Sequence, residues 1–254
     1  MGLIGGQIGY RLLRRLGARN DNSACNGTAY ANCSKLEKLL GSSIWDELRG
    51  KVVLDFGCGS GAEVIEVAQH GALRVVGLDI RESVLLRARQ AAREAGVADR
   101  CSFASDTTEK VDVILSIDSF EHFDDPAGVL RSMRRLIKDE GRVLTVFGPT
   151  WYHPLGGHLF SVFPWAHLIF TEQALLRWRS DFKTDGAKRF HEVEGGLNQM
   201  TIRRFEKLVA ESDFRIEKLE LVPIRGLRFF RNRWLKEFGT AVVRCSLITV
   251  ESRI

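Results

Sequence analysis

Three glycines spaced two apart, in Gly57-Cys58-Gly59-Ser60-Gly61, follow directly on the apolar run Val52-Val53-Leu54-Asp55-Phe56. A helical pattern starts immediately after them. That order reads as a buried strand, a tight turn free of bulky side chains, and a helix N-terminus whose unpaired amides face a ligand. A Cβ would hold the backbone away from that ligand, and glycine also tolerates φ > 0. Acids stand around the loop: Asp55 just before it, Asp79 at the end of the next apolar run, and Asp106 after a third. A carboxylate there can accept from both hydroxyls of a ribose, or from an ammonium group. Further on, Asp118, Glu121 and His122 stand at i, i+3 and i+4, while His153, His158 and His167 lie in an aromatic-rich stretch. Imidazoles and carboxyls can move a proton or hold a divalent cation.

Two ligands fit the loop. Gly57-Cys58-Gly59-Ser60-Gly61-Ala62 satisfies the dinucleotide fingerprint, with Asp79 at the spacing of a ribose contact. The competitor is S-adenosylmethionine, which would lay its methionine end on the loop and its ribose on Asp79. Three features favour the competitor. The charge of Asp55 suits an ammonium and opposes a pyrophosphate. Asp106 is placed to receive an adenine amino group. The segment 118–126 follows the fourth strand, at the rim where chemistry occurs in such a sheet. An NAD-dependent oxidoreductase, and a non-catalytic ligand-binding protein on the same fold, stay open beside this reading.

The elements that must position these groups alternate regularly from Lys51 onward. Strands are predicted at Val52–Phe56, 74–79, 101–104, 111–117 and 142–147. Helices are predicted from the loop to near Gly71, over 83–95 with Gly96 at its end, and from Asp124-Asp125-Pro126 to Gly141. In the last of these, Val129, Leu130, Met133, Leu136 and Ile137 form a buried stripe. A helix over 201–212 and two β-rich runs, 214–222 and 241–250, follow the aromatic stretch. Strands alternating with helices mean an α/β fold with a doubly wound, mostly parallel sheet. Ahead of it, Ser34 opens a short helical pattern. Ile8, Leu12, Leu13 and Leu16 share a helical face beside Arg11, Arg14 and Arg15. That basic amphipathic segment reads first as a docked helix and second as a weak membrane-surface contact. The stretch 20–32 reads as a polar loop.

Bulk properties exclude several classes. With 254 residues, 44% of them hydrophobic, the chain can bury a large core. The net charge of +5 comes mostly from 131–138 and 225–236, where apolar residues interrupt the basic ones. They read as solvated helix faces and a basic patch, so no nucleic-acid partner is expected. Five cysteines without C-x-x-C spacing read as reduced thiols. No apolar run could span a bilayer and the N-terminus lacks signal-peptide order, so a cytoplasmic location is expected.

With these pieces in order, the chain resembles the class I S-adenosylmethionine-dependent methyltransferases, in the branch of ubiquinone and small-molecule methyltransferases. The resemblance rests on 54–61, on Gly77-Leu78-Asp79, on Ser105-Asp106, on Val111-Asp112-Val113-Ile114 leading to Phe120-Glu121-His122, and on 136–143. Met200-Thr201, Phe205 and Ser212-Asp213-Phe214 match more loosely. It implies a Rossmann-like sheet of seven strands carrying an aromatic-rich helical cap. Residues 1–49 would be a helical and loop extension, 50–150 the cofactor-binding core, 151–200 the cap, and 201–254 the rest of the core. It also implies roles: Gly57, Gly59 and Gly61 cradle the methionine moiety, with Asp55 and Cys58 beside them. Asp79 and Ile80 hold the ribose end, Asp106 and Thr107 meet adenine, and Ser116 or Ile117 contributes backbone near the sulfonium.

Methyl transfer from a sulfonium is an in-line displacement, so positioning dominates and a base is needed only where the acceptor must lose a proton. His122 is the first candidate base, with His153 and Glu121 as the other catalytic candidates, because imidazole can take a proton near neutral pH. No metal is expected, although one helical turn would bring Asp118, Glu121 and His122 together around a cation. The aromatic stretch 151–170 would form a lid favouring a hydrophobic or aromatic acceptor, or would bury itself on the core. Oxygen is the favoured acceptor atom, ahead of nitrogen or carbon.

Overall fold

The computed structural model describes residues 2–17, 33–193, 195–224 and 235–250. The polar stretch 20–32 and most of the basic block 225–236 lie outside them. In chain order the helices are α1 (Gly6–Leu16), α2 (Lys35–Leu40), α3 (Ile44–Leu48), α4 (Ala62–Gln69), α5 (Glu82–Glu94), α6 (Pro126–Leu136), α7 (Ala166–Ile169), α8 (Glu172–Arg179), α9 (Ile202–Ala210) and α10 (Lys236–Gly239). The strands are β1 (Val52–Phe56), β2 (Arg74–Leu78), β3 (Cys101–Ala104), β4 (Val111–Ile117), β5 (Ile137–Phe147), β6 (Phe214–Pro223) and β7 (Thr240–Thr249). They form one seven-stranded sheet in the order β3-β2-β1-β4-β5-β7-β6. β1 to β5 pair in parallel, and β7 runs antiparallel between β5 and β6. The strand order reverses at β1 and β4. The crevice beyond their carboxyl ends is therefore the switch point where ligands bind in such sheets.

Helix starts follow the capping residues. Ser34, Asp125, Thr171 and Thr201 each accept a first-turn amide, at α2, α6, α8 and α9. One face of the sheet is covered by α2 to α5, burying Leu36, Trp45, Val64 and Leu85. The other is covered by α6 and α9, burying Met133, Leu136, Ile202 and Phe205. The cap has a third core of its own, in which Leu13 of α1 meets Phe160, Phe170, Leu175, Trp178 and Phe190. Among the described residues, no helix is long and apolar enough to cross a membrane.

Three sequence expectations change. Ile137 opens β5 instead of closing α6, pairing with Val111 ahead of a bulge. Gly141 lies inside that strand, where a Cβ would stand 2.7 Å from the Ile137 side chain and 2.8 Å from the Asp112 carbonyl. The chain crowds too closely there for a larger residue. α1 does dock, but only part of its apolar stripe is buried: Leu13 is buried with Gly9 and Leu12 is half-buried, while Ile8 and Leu16 are 72% and 58% exposed. The seam is set by a close approach, since a Cβ on Gly9 would meet Ala174 of α8 at 3.1 Å. Finally, most of the cap's aromatic rings pack on one another, as Phe160 and Trp151 do on Phe190, so they form a core more than a lining.

Candidate functional site

The glycine loop leaves β1 with its first amides already used: those of Gly57 and Cys58 donate to the Leu78 carbonyl of β2. All three glycines have positive φ, 92°, 51° and 80° for Gly57, Gly59 and Gly61. They differ in surroundings. A Cβ on Gly57 would lie 2.7 Å from Ser119 Oγ, and one on Gly61 2.7 Å from the Phe103 ring. Nothing stands within 4 Å of the corresponding point at Gly59. The outer two glycines let the loop pack closely, and the middle one turns open, Cβ-free backbone outward. That is the form of a cradle for a ligand.

Asp79 is tied to this cradle. Its Oδ2 accepts the Gly59 amide at 3.0 Å, and Arg81 donates to both oxygens from Nε and Nη2 at 3.1 Å. Burial opposes ionisation, but the bonds from Arg81 and Gly59 outweigh it and hold the carboxyl below its usual range. Asp55 behaves in the opposite way. It is 3% exposed, and burial, reinforced by Glu63, raises it well above the ordinary carboxyl range. Burial and Asp55 likewise push the Cys58 thiol up. Lys35, at the start of α2, reaches into this acidic ring at 3.2 Å from Glu63 and 3.0 Å from Asp118. Burial would lower its pKa, yet Glu63 and Asp118 outweigh burial and raise it.

The remaining cofactor candidates sit on the rim. Ile80 is 91% exposed at the end of β2, and Asp106 is exposed after β3, with Thr107 half-buried beside it. Ser116 and Ile117 are buried at the end of β4, which leaves their main chain as the part nearest the crevice.

The loop after β4 does not make the helical turn that would gather Asp118, Glu121 and His122. Asp118 takes φ 49°, and only a 3-10 turn, Phe120–His122, follows. Asp118 therefore faces Lys35, while Glu121 and His122 turn toward His158 of the cap. Glu121 is 2% exposed; its Oε1 accepts the Gly148 amide at 3.1 Å. Burial, then Asp118, raises it to about 8. His122 Nδ1 lies 2.9 Å from the Gly196 carbonyl, which can only accept, so Nδ1 carries the proton and Nε2 the lone pair. Burial pushes His158 down to about 3, and His122 adds to the effect. His153 is pushed down by burial to about 4, and its Nδ1 accepts the Leu155 amide at 2.9 Å. Asn198 clamps the loop by donating 2.8 Å bonds to the carbonyls of Phe120 and Phe123. Lys35, Glu63, Gly196 and Asn198 carry no signal in spacing or composition; only the folded chain brings them to the site.

Comparison with known proteins shows what the chain as a whole is similar to. Residues 26–219 match a family described as "Methyltransferase domain". A ubiquinone biosynthesis O-methyltransferase of Neisseria meningitidis serogroup C is 38% identical over 104 residues, covering 38% of this chain and 44% of that protein. One from Pseudomonas paraeruginosa is 35% identical over 142 residues, covering 54% and 58%. The chain thus spans about half the length of the relatives it matches. Among solved structures, an S-adenosylmethionine dependent methyltransferase from Mesorhizobium loti shares the fold with a TM-score of 0.51 and 19% identity, covering 79% of this chain and 92% of that one.

Proposed function

The chain belongs to the methyltransferase-domain family, and on that premise we propose that it methylates an oxygen of a small, hydrophobic or aromatic acceptor from S-adenosylmethionine. The observation that carries the reading is the pair of acids Glu63 and Asp118 beside buried Asp55 at the cradle, with Lys35 as their cation; an ammonium seated there would favour the ionised form of Asp55. An ammonium is attracted to such acids and a pyrophosphate is repelled, more strongly in a half-buried site than in water. The open turn at Gly59 fits the same ligand, and Asp79 fits it by exchanging the bonds from the Arg81 side chain for the ribose hydroxyls.

S-adenosylmethionine supplies an electrophilic methyl group on a sulfonium; the protein binds, orients and moves a proton. In this reading Gly57, Gly59 and Gly61 give the main-chain cradle and Asp79 takes the ribose diol. Ile80 borders the ribose end, Asp106 and Thr107 flank the adenine, and the main chain of Ser116 and Ile117 borders the reacting end. His122 is the base, since its Nε2 lone pair is free once Gly196 has fixed the Nδ1 proton. Glu121 is mostly protonated at neutral pH and serves as a buried neighbour of that ring. His153, whose lone pair already accepts from Leu155, packs instead of accepting a proton. Cys33, Cys58, Cys101 and Cys245 are free thiols, which suits a reducing cytoplasm. Exposed Leu3 and Ile8 beside Arg11 offer a surface for weak membrane contact.

Calorimetry with S-adenosylhomocysteine and with NAD separates the cofactors. The first is expected to bind and the second to give no heat; silence from the first would sink the proposal. Asp79→Ala is expected to weaken S-adenosylhomocysteine binding by at least about tenfold, roughly the worth of one charge-assisted pair of bonds, with an unchanged circular-dichroism spectrum. Transfer of label from the cofactor to small phenols distinguishes an enzyme from a binding protein on the same fold.

A further inference from the structure

We propose that Arg81 is an intramolecular competitor for the ribose subsite: its guanidinium holds Asp79 in the free chain, a ribose diol must displace it, and the exchange sets the affinity for the cofactor. The carboxylate of Asp79 is fully engaged. Its Oδ1 accepts the Arg81 amide at 2.9 Å and Arg81 Nε at 3.1 Å. Its Oδ2 accepts the Gly59 amide at 3.0 Å and Arg81 Nη2 at 3.1 Å. An ionised carboxylate offers about four lone-pair sites, so a hydroxyl bonds to it only by removing a donor already there.

The four donors differ in how readily they leave. Two are main-chain amides, fixed by the turn of the glycine loop and by the approach to α5. The other two belong to one side chain, which is 54% exposed against 6% for that of Asp79. A guanidinium addresses a carboxylate through two parallel donors, and a vicinal diol also brings two donors side by side. Ribose therefore takes over the two bonds that Arg81 gives up, while both amides stay. The released cation has water beside it, and an ion pair with one exposed partner is worth little to the fold.

The position of Arg81 fits exchange better than architecture. It stands just before α5 with an extended backbone, φ −97° and ψ 99°, and its side chain caps no amide of that helix. The start of a helix disfavours a cation, and Asp79 supplies the charge that offsets this. Ile80, between the two, is 91% exposed, so the segment 79–81 lies open to an arriving ligand. The inference rests on the cofactor reading above and adds a control on that site: the chain's own cation stands where the ribose must go.

Calorimetry with S-adenosylhomocysteine tests it on the full chain, on Arg81→Ala and on Arg81→Lys. Arg81→Ala is expected to bind about fivefold more tightly than the parent, the upper end for a pair of this exposure. Arg81→Lys keeps the charge without the planar fork and is expected to fall between the two. In an Asp79→Ala background the removal of Arg81 is expected to bring no gain, because competitor and ligand then share no partner. Affinity in Arg81→Ala equal to or below the parent's would overturn the competitor role and leave the cofactor reading standing, as would a gain that persists without Asp79. No binding by parent and variant alike would overturn both. Circular dichroism of the same samples is expected to show all variants folded, since the side chain is half-exposed.

Discussion

At the scale of single residues, the glycine loop separates two roles that its spacing leaves merged. Gly61 has φ 80°, and a Cβ there would stand 2.7 Å from the Phe103 ring and 2.9 Å from Ala88. Gly61→Ala is expected to cost about 2–4 kcal/mol, combining a left-handed backbone with overpacking, as read by chemical denaturation. Gly59→Ala meets open space and is expected to cost only about 1–2 kcal/mol while losing most S-adenosylhomocysteine affinity. Equal losses of stability in the two variants would contradict this division. Glu121 gives a pH dependence. Its carboxyl is raised from 4.5 to about 8, first by burial and then by Asp118. As pH rises through that window the unfolded chain releases the proton first, so the native state binds more protons and loses stability, by a few kcal/mol in all. Glu121→Gln is expected to remove this decline in EDTA-containing buffer and to match the parent at pH 4. A parent whose stability is flat from pH 5 to 8 would refute the assignment.

At the scale of elements, the cap is held by groups that acid should disturb. Burial keeps His153 down near 4 and His158 near 3, and lowers His167 as well. An unfolded imidazole takes its proton near 6.5, so these three contribute stability that is present above 6.5 and lost as pH falls toward 4. They are all in the cap, where His167 bonds the Trp151 carbonyl at 2.7 Å and Ser161 at 3.1 Å. Hydrogen exchange at pH 5, corrected for intrinsic rates, is expected to show faster opening of 151–179 than of β1 to β5; parallel loss in both would rule out a local effect. The cap also shows where element reading from sequence fails. The strands and their helices carry periods of two and 3.6 that survive any arrangement of neighbours. The cap's short helix α8 buries residues around most of its surface, in the cluster that also holds Leu13 of α1, which leaves no period to read. The true face of α1 was hidden for a related reason, since it is set by Gly9, a residue that hydropathy does not count as apolar surface.

At the scale of the whole molecule, the site draws on β1, β2 and β4, on α2 and on the cap, so a ligand bound there should couple to global stability. S-adenosylhomocysteine at 100 times its Kd is expected to add about 2.7 kcal/mol, roughly 5–10 °C in Tm for a chain of this size. NAD at the same concentration is expected to add nothing; a matching rise would return the dinucleotide reading. The order of motifs in the sequence already determined the sheet, its switch point, the glycine cradle and the acids Asp55 and Asp79, because each is set by neighbours a few residues away or by the period of its own strand. Folding sets the company those residues keep. Lys35 is carried by a separate helix to Asp118, and that contact withdraws Asp118 from Glu121 and His122. His158 then meets them from the cap, and Gly196 sets the tautomer from farther along the chain. Such contacts join residues up to 83 positions apart, as Lys35 and Asp118 are, and they arise from packing and charge in three dimensions, which no local pattern encodes.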